Sequence, residues 1–432
     1  MNYYDIKNPH QKVSLEEAVL KSISSDSGLY MPERIPVLPA SFFASLPHMD
    51  LQEIAFEVSK AMLGEDIPHE ALKQVVNGAL SFPIPLKKLD NKLFVLELFH
   101  GPTLAFKDVG ARFMAGLFQF FLRNENREVV ILVATSGDTG SAVANAFFNK
   151  KGIKVVILYP SGKVSGLQEK QLTTMGGNIT ALEVDGNFDD CQLMVKRAFA
   201  DKELNRHLNL TSANSINFAR LFPQSFFYFN ALAQLGKVDK PVVISVPSGN
   251  FGNLTSGLIA KRMGLPVHRF IAATNQNHVV PDYLRNGEYR PQPTHHTITN
   301  AMDVGNPSNF PRMSEIYQKQ HLAMAADIEG YWFTDDQTRS SMAELQERYA
   351  YQCDPHGAVA YAGLKESGSL NGNIGVFLET AHPAKFPDEV EKSTNHKVLV
   401  PDALKVILTL EKKSVKLSNK YEDLLKELQQ MF

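Results

Sequence analysis

The sequence predicts an α/β protein in which buried parallel strands are joined by crossover helices, behind a mainly helical N-terminal domain. Three observations carry this reading. Residues 129–134, 154–159, 242–246, 269–273 and 374–378 are short, apolar and β-branched. Helical patterns lie between most of them, and that alternation marks parallel strands buried on both faces. Polar residues follow three of these runs: SGDTG after VVILVAT, SGNFGN after PVVISVP, and Thr380 after IGVFLE. Open parallel sheets bind ligands beyond the carboxyl ends of their strands, so the three points converge on a shared site.

Residues 1–90 make up the N-terminal domain. Ser14, Leu15, Glu16 and Glu17 form a helix-start pattern, with Val19, Leu20 and Ile23 on the apolar face. A loop rich in Gly and Pro is expected over residues 25–39, and helices over Leu51–Leu63 and residues 70–80. No catalytic signal occurs there, and Pro83 and Pro85 mark a boundary.

Residues 93–99 are apolar apart from Glu97 and read as a buried strand. His100, Gly101 and Pro102 form a turn, after which Val109, Phe113, Leu117, Phe120 and Phe121 recur at helical spacing. A helix therefore starts between Thr103 and Asp108, and Lys107 sits at its beginning. The positive end of the helix dipole and the apolar neighbours Ala105, Phe106 and Val109 both disfavour its ammonium form. A neutral lysine amine can form a Schiff base with a carbonyl. An ordinary surface lysine at a helix start is the alternative.

Two further loops can hold anions. In PSGNFGN (residues 247–253) Gly249 and Gly252 permit close backbone approach before a helix expected near Leu254. Its N–H groups can cradle a phosphate, or the glycines can serve a tight turn alone. In ATSGDTG (residues 134–140) hydroxyls and backbone donors can hold a carboxylate, or Asp138 or Thr139 can cap a helix beginning at Ser141. In NSINFAR (residues 214–220) Arg220 offers a planar fork suited to phosphate, and in a helix Asn217 and Arg220 would share a face with Asn214. A capped helix start with a surface arginine is the alternative. No GxxxxGK[ST] sequence occurs.

The segments HGPTLAFKD (residues 100–108), ATSGDTG, NSINFAR, PSGNFGN and LETAHPAKF (residues 378–386) occur in this order. Together they closely resemble the threonine synthase family, pyridoxal-phosphate enzymes of fold type II, over most of the chain. The resemblance implies two parallel-sheet α/β domains around a cofactor cleft. Residues 91–235 would carry Lys107, SGDTG and NSINFAR, and residues 236–432 would carry SGNFGN and Thr380, with interleaving of the two left open. It implies pyridoxal 5′-phosphate on Lys107, its phosphate held by Gly249, Asn250, Phe251, Gly252 and Asn253, and Thr380 near the pyridine nitrogen. Thr135, Ser136, Gly137, Asp138 and Thr139 would hold the substrate carboxylate, while Asn214, Ser215 and Arg220 would hold the substrate phosphate. The implied activity converts O-phospho-L-homoserine and water to L-threonine and phosphate. A related phospho-lyase ending at 2-oxobutanoate, and a cofactor-binding protein without turnover, are the rival readings. Lys163, Ser165 and Gln168 also match the family, and DPHGAV (residues 354–359) matches it as a packing and turn element before a helix over residues 358–364.

Composition narrows the classes further. The chain has 432 residues, 44% hydrophobic and 21% charged, with a net charge of −2 and no long block of one sign. This is the profile of a soluble enzyme and carries no footprint for nucleic acid or an anionic membrane. No apolar run approaches the roughly 20 residues of a bilayer span. The N-terminus lacks an apolar signal segment. The two cysteines, Cys191 and Cys353, lack zinc spacing and make no disulfide framework, which fits the cytoplasm. Cys353 and His356 flank Asp354 and Pro355 without further metal ligands, and no metal is expected. Oligomeric state is not legible, because the apolar faces also serve cores.

Overall fold

The structure is a computed structural model that describes residues 1–24, 28–124 and 128–432. Three sheets organise it. The N-terminal sheet is antiparallel, in the order β2-β1-β3, from β1 (Tyr3–Asp5), β2 (Asn8–Val13) and β3 (Tyr30–Pro32). The six-stranded sheet contains β4 (Leu86–Lys88), β5 (Leu93–Glu97), β10 (Val242–Pro247), β11 (Arg269–Thr274), β12 (Ile328–Trp332) and β13 (Ile374–Glu379), in the order β12-β11-β10-β13-β5-β4. The five-stranded sheet contains β6 (Val129–Ala134), β7 (Ile153–Pro160), β8 (Ile179–Asp185), β9 (Asn209–Thr211) and β14 (Val415–Ser418), in the order β14-β8-β7-β6-β9. Apart from the antiparallel edge strand β4, every pairing in the two larger sheets is parallel.

Period-two burial explains the apolar runs. Ile131 and Val133 of β6 enter one core, while Val130 and Leu132 enter the core on the opposite face of the sheet. Val376 and Leu378 of β13 face the first core and Phe377 faces a third. A strand covered on both sides needs apolar residues at every position.

The two large sheets exchange strands. β5, which leads into Lys107, pairs with β13, and β14 returns from the C-terminal end to pair with β8. The helix Lys107–Leu122 packs on the helices His69–Ala79 and Asp138–Phe147. The N-terminal domain holds the expected helix Leu51–Leu63 and a helix His69–Ala79. It also contains the small sheet, whose third strand lies inside the expected loop over residues 25–39; residues 25–27 lie outside the described residues. Ser14 caps the helix Leu15–Lys21 by accepting from the Glu17 N–H at 3.2 Å.

Candidate active site

Lys107 is the first residue of its helix, and a short turn fixes it. The Asp108 carboxylate accepts the Thr103 N–H at 2.9 Å and the Thr103 hydroxyl at 2.6 Å, closing the turn. The Phe106 N–H donates to the Thr380 carbonyl at 2.9 Å, and the His382 N–H donates to the Leu104 carbonyl at 3.0 Å. These bonds hold Lys107 against the carboxyl end of β13. Burial pushes its ammonium down to about 8; Asp138 opposes the shift, and Arg220 and Lys385 add to it.

Lys107 lines a cavity of about 760 Å³ at the carboxyl ends of β6, β10 and β13. The same cavity is lined by Thr135, Ser136, Thr139, Asn214, Ser215, Arg220, the whole segment Gly249 to Asn253, and Thr380. Of the predicted site residues, Gly137 and Asp138 do not line it. Neither Asp138 nor Thr139 caps a helix, because the helix runs Asp138–Phe147 and both lie inside it, behind Gly137. Gly137 has φ +138°, and a Cβ there would meet the Gln168 side chain at 2.5 Å. The Thr135 hydroxyl accepts from the Gly137 and Gly140 N–H groups at 3.0 and 2.9 Å, which shapes the loop.

The Asp138 carboxylate turns away from the cavity. It meets the Lys385 ammonium at 2.6 Å and accepts from the Gln168 amide at 2.9 Å. Burial opposes its ionisation, but Lys385 and Lys107 outweigh burial and hold the carboxyl well below its usual range. Lys385 also donates to the Thr103 carbonyl at 2.9 Å. Sequence reasoning passed over Lys385, although it stands in LETAHPAKF; an ammonium with no water needs a carboxylate, and only the fold shows which.

The helix within NSINFAR starts later than a face shared by Asn214, Asn217 and Arg220 requires: it runs Phe218–Leu221, with Asn217 as its cap and Asn214 outside it. Asn217 spends its amide on the Val19 carbonyl and the Ser22 hydroxyl, at 2.8 and 2.6 Å. Arg220 is buried rather than exposed; its Nη1 donates to the Ala213 carbonyl, and its Nε has no protein partner. Burial lowers its guanidinium to about 10, and Asp108 opposes the shift. The Asn214 Oδ1 is likewise buried and unpartnered. Orphaned polar atoms on a cavity wall are the signature of a ligand that completes them.

The SGNFGN loop is clamped from outside. A Cβ on Gly249 would lie 2.7 Å from the Met302 Cα, and one on Gly252 would lie 2.9 Å from the Ser215 Cβ. The helix Gly252–Arg262 opens behind Phe251, which takes the left-handed conformation at φ 58°. Asn309 donates to the Ser215 hydroxyl at 3.0 Å and to the Asn250 carbonyl at 3.2 Å, joining the two anion loops. Arg312, fully buried, reaches the Tyr30, Ser215 and Ile216 carbonyls and the Asn309 side chain. Asn309 and Arg312 carried no motif signal, since their role is to receive loops from elsewhere in the chain. The two glycine gaps, the helix start and the adjacent lysine fit a phosphate-bearing aldehyde cofactor.

The family model described as pyridoxal-phosphate dependent enzyme matches residues 80–379. Those described as threonine synthase N terminus and threonine synthase, C-terminal match residues 2–80 and 357–428. Threonine synthase of Haemophilus influenzae is 45% identical over 405 residues, covering 94% of each chain. The crystal structure of threonine synthase from Escherichia coli superposes with a TM-score of 0.94 at 42% identity, covering all of both chains. A pyridoxal-phosphate-bound threonine synthase from Brucella melitensis superposes with a TM-score of 0.92 at 33% identity, covering 100% of this chain and 99% of that one. Fold and site thus define a pyridoxal-phosphate-dependent enzyme of fold type II. Within that class, the chain belongs to the threonine synthase family.

Among the described residues no helix is long and apolar enough to cross a membrane, and no group of three His, Cys, Asp or Glu could hold a metal ion. Both cysteines are free and buried.

Proposed function

We propose that the chain converts O-phospho-L-homoserine and water into L-threonine and phosphate. One observation carries the reading: two anion-binding loops flank one low-pKa lysine in a single cavity. One loop suits the cofactor phosphate and the other the substrate phosphate. Bound pyridoxal 5′-phosphate supplies an aldehyde for the lysine and a ring that takes up negative charge from the substrate.

The remaining steps belong to the protein. Lys107 Nζ, its pKa lowered by burial, would hold the cofactor through its aldehyde and, when free as an amine, take a proton from the substrate α-carbon. Backbone N–H groups from Gly249 to Asn253 hold the cofactor phosphate at the helix start. Thr380 would offer the pyridine nitrogen a hydroxyl and not a carboxylate. Thr135, Ser136 and Thr139 receive the substrate carboxylate; Gly137 and Asp138 act one layer back, through the shape of the loop and the pairing with Lys385. Asn214, Ser215 and Arg220 bind the substrate phosphate and hold it as it leaves the γ-carbon. A β-proton is lost as the γ-carbon–oxygen bond breaks, a proton is delivered to the γ-carbon, and water adds its hydroxyl at the β-carbon while a proton returns to the α-carbon.

Product analysis tests this. The loaded protein is incubated with O-phospho-L-homoserine, and phosphate, threonine and 2-oxobutanoate are counted together. Threonine equal to phosphate is the expected outcome. Phosphate matched by 2-oxobutanoate would replace the reading with a phospho-lyase, and no product from a cofactor-bearing protein would remove the substrate.

A further inference from the structure

The segment DPHGAV does more than turn the chain. Asp354 caps the helix Pro355–Glu366, accepting the His356 N–H at 2.6 Å. The same oxygen lies 2.6 Å from the His356 Nδ1, and its other oxygen accepts the Ala381 N–H at 3.2 Å. Asp354 thereby ties the imidazole to the residue that follows Thr380. The Asp354 N–H donates to Glu379 at 2.6 Å, and burial, reinforced by Asp354, raises Glu379 well above the usual carboxylate range. Gly357 lets the helix press this close, because a Cβ there would fall 1.6 Å from the Glu379 Oε2. The ring is packed on Phe386 at 5.0 Å between centroids.

These contacts fix one edge of the imidazole and leave the other without a partner. His356 is 3% exposed and lines the same cavity as Lys107 and Thr380. Its Nε2 is buried and has no hydrogen-bond partner. With Nδ1 held by Asp354, Nε2 is the ring nitrogen left to meet a ligand. Leaving such an atom unpaired is costly unless a ligand completes it. The cofactor placement proposed above would bring the pyridoxal ring to the Thr380 end of the cavity.

We propose that His356, oriented by Asp354, is a cofactor-contacting residue whose Nε2 hydrogen-bonds the ring end of bound pyridoxal 5′-phosphate beside Thr380. This rests on the cofactor placement proposed above. The pair works as a unit: Asp354 sets which nitrogen faces the ring, and His356 makes the contact. It gives the site a polar partner at the ring end beyond the single Thr380 hydroxyl, and so a second means of tuning how the ring takes up charge.

The test uses the full chain loaded with pyridoxal 5′-phosphate. His356→Asn keeps an N–H for Asp354 and deletes the Nε2 contact, whereas His356→Gln places a polar atom within reach of it. His356→Asn is expected to move the visible absorption maximum of the lysine-bound cofactor and raise its dissociation constant about tenfold. His356→Gln is expected to recover both. A purely structural role through Asp354 gives the reverse order, and native spectrum and affinity in His356→Asn overturn the proposal. The native chain supplies a reading that needs no variant to fold. With nitrogen-labelled histidine, the Nε2 resonance of His356 is expected to shift when the cofactor is added, and an unchanged resonance overturns the contact. A native chain that takes up no cofactor overturns the underlying reading as well, so the two failures are distinct.

Discussion

The Lys385 ammonium lies 2.6 Å from the Asp138 carboxylate, with the two side chains 0% and 4% exposed. The pair joins the start of the helix Asp138–Phe147, after β6, to the segment after β13, and so spans the two large sheets beneath Lys107. Removing one partner of such a pair strands the other charge. Lys385→Met is expected to destabilise the apo-protein by about 3–5 kcal/mol. The double variant Lys385→Met/Asp138→Asn is expected to recover part of this loss. Chemical denaturation of the four proteins in the cycle measures it, and additive losses would show that the two side chains are not coupled.

Lys107 has a second consequence, in pH. A lysine pulled down to about 8 is mostly neutral above that pH and mostly ammonium below it. Only the amine attacks an aldehyde, so cofactor uptake by the apo-protein should rise about tenfold per pH unit and level off near 8. Stability follows the linked sign. Between about 8 and the ordinary lysine value of 10.5 the unfolded chain binds more protons at this position, so its contribution to stability grows as pH rises through that window. Stopped-flow uptake across pH 6–10.5 checks the first claim; a plateau reached only near 10.5 would mean that the amine is not desolvated.

Arg220 is the residue that distinguishes the proposed substrate-phosphate site from the proposed cofactor-phosphate site. Its Nε is buried without a partner on the wall of the cavity that the segment Gly249 to Asn253 also lines. Arg220→Ala should retain the visible band of the loaded protein and weaken use of O-phospho-L-homoserine by roughly 10- to 100-fold, the worth of a charged hydrogen bond or two. Binding of inorganic phosphate to the loaded variant should weaken in parallel. Unchanged KM and phosphate affinity would move the substrate phosphate elsewhere.

What the sequence made legible depends on how local each signal is. Lys107 and the two glycine loops stand where a strand ends and a helix begins, and Thr380 where a strand ends, so periodicity placed them in the chain while the family resemblance supplied their roles. The strands β6, β10, β11 and β13 were found to within a residue because burial on both faces leaves a continuous apolar run. Lys385, Asn309 and Arg312 were not found as site residues, because each acts through a partner distant in sequence, and His356 was read as part of a turn because the cavity it lines is built by distant segments. The sheet β2-β1-β3 was missed for a different reason: β2 is almost wholly exposed and carries no apolar alternation. β14 was missed because it is a four-residue edge strand with two exposed positions.

Two glycines give opposite predictions from the same change. A Cβ on Gly249 would lie 2.7 Å from the Met302 Cα and 2.9 Å from the Ala301 carbonyl oxygen. Both neighbours are backbone, so no side chain can turn aside, and the loop holding the cofactor phosphate must move. Gly249→Ala should therefore cost about 1–3 kcal/mol of stability and weaken cofactor binding beyond what that loss explains. Gly78 lies in the helix His69–Ala79 with nothing within 4 Å of a Cβ. Gly78→Ala should stabilise the protein by about 0.5–1 kcal/mol through lower chain entropy in the unfolded state, with the cofactor spectrum unchanged. Denaturation and cofactor titration on the two variants check both signs at once. Equal effects would mean that the close approach at Gly249 does not shape the cradle, and that the loop binds phosphate by flexibility instead.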